Sequence, residues 1–347
     1  MKEFVFFLSI ITLPLNFLFS EEGKKSYKDG HPIKKRDMIH GYSSPARIKT
    51  NGLNFFLKGS FIYWFVKENG LDIAYVKGNQ VSTDKVKGHY IKQDFEYKPG
   101  FKIQAGKSFD HDDWEVSLDY TWLHFTNSKT HLGTIPNATI DAVWDSASNL
   151  TYAKAKWKFS YDMLDGLIGR RYYLGTKLLV KPFIGLRGGW IDQKNETAYT
   201  TLTESIEGDF KSKSYLVGPI AGLEADYFLG YNLKFISKSF LCLAYQEFHT
   251  SLLNLAGTNN ILTRCDRARQ RESKLTPNID LLLGLGWGDF FFNDKIHFEL
   301  NASYDFQYFW QQNSMKNLVT AEINNRYNNS YENLFLHGLT FSARIDF

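Results

Sequence analysis

The C-terminal stretch from Leu339 to Phe347 constrains the fold more than any other part of the chain. Leu339, Phe341, Ala343, Ile345 and Phe347 alternate strictly with Thr340, Ser342, Arg344 and Asp346. A strand points successive side chains to opposite faces, so this segment has one apolar face and one polar face. As the margin of a soluble sheet it would be an unprotected edge inviting aggregation. In a closed barrel it pairs on both sides, with apolar residues against lipid and polar residues inside. A barrel is therefore the expectation, provided the same period recurs upstream.

It recurs from Leu53 onward. Phe55, Leu57, Gly59, Phe61, Tyr63 and Phe65 share one face of a first strand, and Phe95, Tyr97, Phe101, Ile103 and Ala105 one face of a second. Trp114 to Trp122 follows, then Ala153 to Tyr161, where Ala153, Ala155, Trp157, Phe159 and Tyr161 alternate with Lys154, Lys156, Lys158 and Ser160. Further runs begin at Val180, Tyr215, Lys234, Ile279 and Ile296. The ninth run is the most regular, with Ile296 to Trp310 apolar on one face and His297, Glu299, Asn301, Ser303, Asp305 and Gln307 on the other. The expected fold is all-β, a transmembrane antiparallel barrel of about ten strands, within about 8 to 12. Short turns fall after even strands (107–113, 174–177, 229–233, 289–294). Long polar loops are expected after odd ones, including 67–89, 127–149, 197–211 and 264–274. Short periplasmic turns and long extracellular loops are how outer-membrane barrels are built. Pro182, which has no N–H to give the ladder, marks an expected bulge.

Composition agrees. The chain carries 29 Phe, 20 Tyr and 8 Trp, suited to aromatic girdles at two membrane interfaces. Mean hydropathy is −0.34, and beyond the N-terminus no apolar run reaches the ~18 residues of a spanning helix. A net charge of +4, from 41 basic and 37 acidic residues, gives no reason to expect a nucleic-acid partner. Cys242 and Cys265 are too few for a disulfide scaffold and lack metal spacing. Residues 1–20, with Lys2 before an apolar core from Phe4 to Phe19 and a small residue at Ser20, read as a cleaved export signal. Residues 21–50 are polar and rich in Lys and Arg, and read as a periplasmic arm or, alternatively, a partial plug. The barrel occupies 51–347.

Four segments add a family resemblance. LKGSFIYWFVKENGLDIAYV (57–76), PGFKIQAGKSFDHDDWEVSLDYTWLH (99–124), KPFIGLRGGWIDQ (181–193) and the closing strand are similar to the Legionella major outer membrane protein family, in a form like that of environmental chlamydiae. The resemblance implies an outer-membrane pore-forming barrel without catalytic residues. It implies no envelope cross-linking here, because cysteine-rich relatives achieve that and this chain has two cysteines. The terminal Phe347 resembles the closing-strand signal of bacterial outer-membrane barrels, read by the barrel-assembly machinery.

The sequence offers candidate sites of two kinds. Inward charges Lys98, Lys102, Lys154, Lys156, Lys158, Lys181, Arg187, Glu224, Asp280, Glu299, Asp305 and Arg344 are the expected lining of a pore. Five of the bases fall on the fourth and fifth strands, opposite Asp280, Glu299 and Asp305. Two outcomes stay open: a transverse field that filters small polar solutes, or cross-paired charges that close a narrow interior. The basic run Arg264, Arg267, Arg269, Arg271 and Lys274 is expected in an extracellular loop. There it either contacts lipopolysaccharide or a host surface or is simply solvated. DHDD (110–113) suits a solvated turn better than a metal or protease dyad. No catalytic, metal or cofactor site is expected, and oligomerisation is left open. The functional expectation is a pore for small hydrophilic solutes. Its alternative is a closed barrel serving as surface adhesin or structural envelope protein.

Overall fold

A computed structural model describes residues 53–78, 88–109, 114–132, 138–258, 261–292, 295–315 and 331–347. The expected signal segment 1–20, the arm 21–50 and the DHDD turn lie outside these residues. In chain order the strands are β1 (Phe55–Glu68), β2 (Ala74–Gly78), β3 (Gly88–Ile91), β4 (Tyr97–Ser108), β5 (Trp114–Leu132), β6 (Ala138–Ala142) and β7 (Tyr152–Arg170). They continue with β8 (Tyr172–Leu174), β9 (Leu178–Thr200), β10 (Ser205–Gly230), β11 (Leu233–Thr258), β12 (Ile261–Phe291), β13 (Ile296–Asn313) and β14 (Glu332–Asp346).

Ten of them, β1, β4, β5, β7 and β9 to β14, form one antiparallel ring. β14 closes it, pairing with β13 on one side and with β1 on the other, from Phe56↔Asp346 to Glu68↔Leu334. Phe55 and Phe347 exchange backbone hydrogen bonds of 3.0 and 2.9 Å at the seam. Thr340, Ser342, Arg344 and Asp346 are buried, whereas Leu339, Phe341, Ile345 and Phe347 are exposed. The closing strand thus has the inverted burial that only lipid makes favourable.

A belt of exposed apolar side chains runs round the lower part of the ring. Ile184, Leu186, Leu241 and Leu285 are 62, 64, 60 and 56 % exposed, values suited to a lipid-facing surface rather than a water-facing one. A spanning strand needs about 9–11 residues, and β9 to β12, at 23, 26, 26 and 31 residues, extend well past the belt. Two expected loops are therefore strand. Residues 197–211 join β9 to β10 through a turn in which Thr201 N–H donates to Glu204 O at 2.9 Å, and 264–274 belong to β12. Their period-two pattern continues with charged residues on the outer face, because above the belt that face meets water instead of lipid.

Pro182 interrupts the ladder without the expected bulge. Gly169↔Phe183 and Tyr172↔Val180 keep one register on either side of it, so the missing donor merely separates β7 from β8.

The expected loops 67–89 and 127–149 carry the fold's second feature. β3, β2 and β6 make a small antiparallel sheet, with Tyr75↔Tyr90 and Val76↔Ile140 among its pairs. Leu71, Ile73, Ala74, Val76, Ile140, Trp144 and Leu150 from this cap are buried in one apolar cluster with Trp64, Trp157, Phe159, Tyr161, Phe210 and Phe309 of the barrel wall. Tyr199 OH and Trp144 Nε1 donate to Ile73 O and Asp72 O, both at 2.7 Å, which ties the cap's backbone to the wall and to itself. The upper interior thus holds an apolar cluster between cap and wall, beside buried polar side chains such as Gln246, Asn254 and Gln312.

Candidate functional site

Below the cap the interior is polar, and its charges pair across the lumen. Arg187 is 2 % exposed, and its guanidinium donates to Asp165 at 2.7 and 2.8 Å, to Asp280 at 2.9 Å and to Asn278 at 2.9 Å. The forked pair to Asp165, the bond to Asp280 and the bond to Asn278 use four of its five N–H donors. Lys102 Nζ reaches Asp305 at 3.1 Å, and Lys234 Nζ sits 2.9 Å from both Asp226 and Glu299. Glu115 is a hub, held by Lys181, by Arg171 at 3.2 Å and by Arg344 at 3.7 Å. Arg344 also pairs with Asp346, whose Oδ2 lies 3.0 Å from His297 Nδ1. Lys181 is 3.6 Å from Glu224.

Tyr161 OH donates to Gln307 Oε1 at 2.8 Å. Tyr161 is on β7 and Gln307 on β13, diametrically opposite in a ten-strand ring. A single pair of side chains therefore spans the lumen. The remaining cavity holds about 90 Å³, lined by Lys58, Lys102, Arg187, Glu224, Asp280 and Asp305 among others. That is room for a few ordered waters.

Of the residues expected to line the interior, Lys102, Lys181, Arg187, Glu224, Asp280, Glu299, Asp305 and Arg344 surround this cavity. Lys98 does not border it, and its ammonium pairs with the exposed Glu96 at 2.8 Å. Lys154, Lys156 and Lys158 are a correction: they lie on the outer face of β7. Ala153, Ala155, Trp157, Phe159 and Tyr161 are the buried inward residues, while Leu164 and Ile168, in phase with the lysines, are exposed in the belt. The rule that apolar means outward holds only within the belt. β7 crosses its upper edge, and beyond it the apolar face turns toward the capped core.

With three of its five bases outside, the expected transverse field is replaced by ion pairs, of which Arg187–Asp280 joins the two arcs directly. Sequence reasoning missed Asp165, Arg171 and Lys234. Asp165 follows from the phase of Leu164 and Ile168, and it was hidden by reading β7 from its aromatic end.

The basic run also divides. Cys265, Arg267, Arg269 and Arg271 are exposed on the outer face of β12, above Leu275, where its belt segment begins. Lys274 faces inward, its ammonium 3.6 Å from the Tyr331 ring centroid and 4.5 Å from that of Phe248. Arg264 reaches Asp145 of the cap and, at 2.7 Å, Asp266. Burial pushes the Asp145 carboxyl up, and Arg264 offsets only part of that. Both cysteines are free: Cys242 is buried inside the barrel, Cys265 exposed.

A family model described as "Legionella pneumophila major outer membrane protein precursor" matches residues 51–347. The chain belongs to this family. It is thereby an outer-membrane protein, and the match spans the whole described barrel. No curated protein matches it. Among solved structures, the outer membrane protease OmpT from Escherichia coli aligns over 86 % of this chain and 98 % of its own, at 9 % identity and a TM-score of 0.43. A FadL homologue from Pseudomonas aeruginosa aligns over 84 % and 89 %, at 8 % identity and a TM-score of 0.29. Likeness at that level carries no inference about activity.

Proposed function

We propose that this family member is an outer-membrane channel for small hydrophilic solutes that rests closed, with the β3–β2–β6 cap as its gate. The observation that carries the reading is the division of the interior into a charged lower zone and an apolar stopper made by loop segments. Buried ion pairs are no more stabilising than well-packed apolar residues of the same volume. A barrel with a purely structural role gains little from such a column, whereas a solute path needs one. The stopper is not part of the ring, so it can be displaced without opening any of the ring's strand pairs. The reading is of a conduit, with no catalytic step and no cofactor.

The 90 Å³ cavity and the Tyr161–Gln307 bridge favour a second reading, a sealed barrel that acts through its outer surface as an adhesin or envelope component. Single-channel recording in planar bilayers separates the two. Trp144 is 1 % exposed, donates to Asp72 O and packs on Phe210 of β10 at 4.8 Å, so Trp144→Ala loosens the cap from the wall without removing any of the ring's strand pairs. The channel reading expects rare stepwise openings from the unaltered chain and frequent ones from Trp144→Ala. Silence from both, with folding verified by heat-modifiable gel mobility, selects the sealed barrel.

A further inference from the structure

Above the belt, one sector of the outer wall carries a grid of cations. The belt's upper edge on three adjacent strands is the paired row Val217, Tyr245 and Leu275. Next comes Tyr215, Glu247 and Ser273, then Lys213, His249 and Arg271, then Lys211, Ser251 and Arg269. Neighbouring strands lie about 4.8 Å apart, and same-face residues along a strand about 6.8 Å, so four cations mark a rectangle of about 10 by 7 Å. Their side chains, with His249 and Ser251 between them, line a shallow depression of about 490 Å³. Arg267 extends the patch by one row, opposite Leu253.

The patch differs from the wall beside it in how its charge is balanced. On β7 and β9, Glu196 accepts from Lys194 at 2.6 Å and Lys158 at 2.9 Å and lies 3.7 Å from Lys156. On the grid, Lys211 meets Asp209 at 3.0 Å, a carboxylate it shares with Lys194, and Arg271 is held by Glu247. Arg267 and Arg269 make no ion pair among the described residues, and Lys213 has only its ladder partner Asp192 on β9 within electrostatic reach, so the sector keeps a cationic excess. The grid starts four residues, two same-face positions, beyond the lipid-facing row Val217, Tyr245 and Leu275, on the side of the outer-leaflet headgroups.

We propose that this grid is a binding site for the phosphate groups of an outer-leaflet lipid. Two arginines in a fixed lattice provide planar forks for phosphate oxygens, and two lysines provide point charges beside them. Tyr215 and Tyr245 flank the point where the acyl chains of such a lipid begin. The anchoring of Arg271 by Glu247, which also accepts from Tyr215 and lies 2.9 Å from His249, holds that guanidinium in place before the ligand arrives. The site stands whether or not the barrel conducts, since it lies wholly outside the lumen.

Native mass spectrometry of the refolded full chain in neutral detergent, titrated with diphosphoryl lipid A, dephosphorylated lipid A or phosphatidylcholine, tests it. Two charge-assisted contacts predict roughly tenfold or greater preference for the diphosphoryl form. The pair Lys213→Gln/Arg269→Gln should erase that preference, while Lys156→Gln/Lys158→Gln, with the same charge loss next door, should keep it. Equal loss from both pairs would reduce the effect to net charge and overturn the site. So would equal binding of the dephosphorylated lipid. Displacement of lipid A by millimolar inorganic phosphate would identify a free-anion site and overturn the lipid assignment. Heat-modifiable mobility confirms that each variant is folded.

Discussion

At the scale of single residues the interior is organised by pairing. Arg187 is buried among Asp165, Asp280 and Asn278, so Arg187→Met leaves two carboxylates without their cation. Removing one partner of a buried pair costs about 3–5 kcal/mol, and the variant should show that loss in urea unfolding followed by heat-modifiable mobility. Asp145 predicts a pH effect of defined sign. Its carboxyl is raised by burial, so the docked cap holds its proton more tightly than the undocked cap does. Docking is then favoured below that raised value and weakened as pH rises through it. Hydrogen-exchange protection of residues 143–150, corrected for intrinsic rates, should fall as pH rises from the ordinary carboxylate value of 3.8 toward neutrality. Asp145→Asn should flatten that dependence, and protection that does not change with pH in the unaltered chain would contradict the assignment.

At the scale of the strand, β7 shows why period two alone is ambiguous. Trp157 is fully buried against Phe95, Phe125 and Phe159, with its Nε1 donating to Gln193 at 3.2 Å. Lys154, Lys156 and Lys158 stand on the other face, in water. Trp157→Ala should therefore cost about 3–5 kcal/mol. The triple change of those lysines to Gln should cost less than the tryptophan alone and leave the interior ion pairs intact. The opposite ranking in the same unfolding assay would mean that the strand's phase is inverted. Residues 164 to 168 held the correct phase, with Leu164 and Ile168 matching the belt. The misreading came from weighting the richer aromatic run, whose apolar partner is the cap rather than lipid.

At the scale of the whole molecule, the outer surface changes solvent along the barrel axis. Leu283 is exposed within the belt, and Leu253 lies on the outer face opposite Arg267, above it. Leu283→Arg should cost about 2–4 kcal/mol near the midplane, while Leu253→Arg should fall within about 1 kcal/mol of zero. The two native cysteines report orientation. In intact cells a membrane-impermeant maleimide should label the exposed Cys265 and spare the buried Cys242 until the barrel is unfolded. Labelling of neither on intact cells, with Cys265 accessible only after the envelope is opened, would reverse the barrel in the membrane.

Within the belt, the sequence by itself was sufficient. Where lipid lies on one side and a polar interior on the other, alternation has a single meaning, and the belt segments of β4, β13 and β14 follow it, whereas β1 also turns Phe56, Ile62 and Trp64 inward. The closing role of Leu339–Phe347, the ring of ten strands and the outer-membrane family were legible for that reason. Above the belt both faces change environment, with water outside and the folded cap inside. The same alternation then admits either phase, and the polarity of a residue no longer says which way it points. Only the tertiary structure decided that the first and second extracellular connections fold inward, that 197–211 and 264–274 continue as strand, and that charges on separate strands meet. Those outcomes depend on contacts between segments far apart in the chain, such as Tyr161 with Gln307 and Tyr199 with Ile73, and no local pattern encodes such contacts.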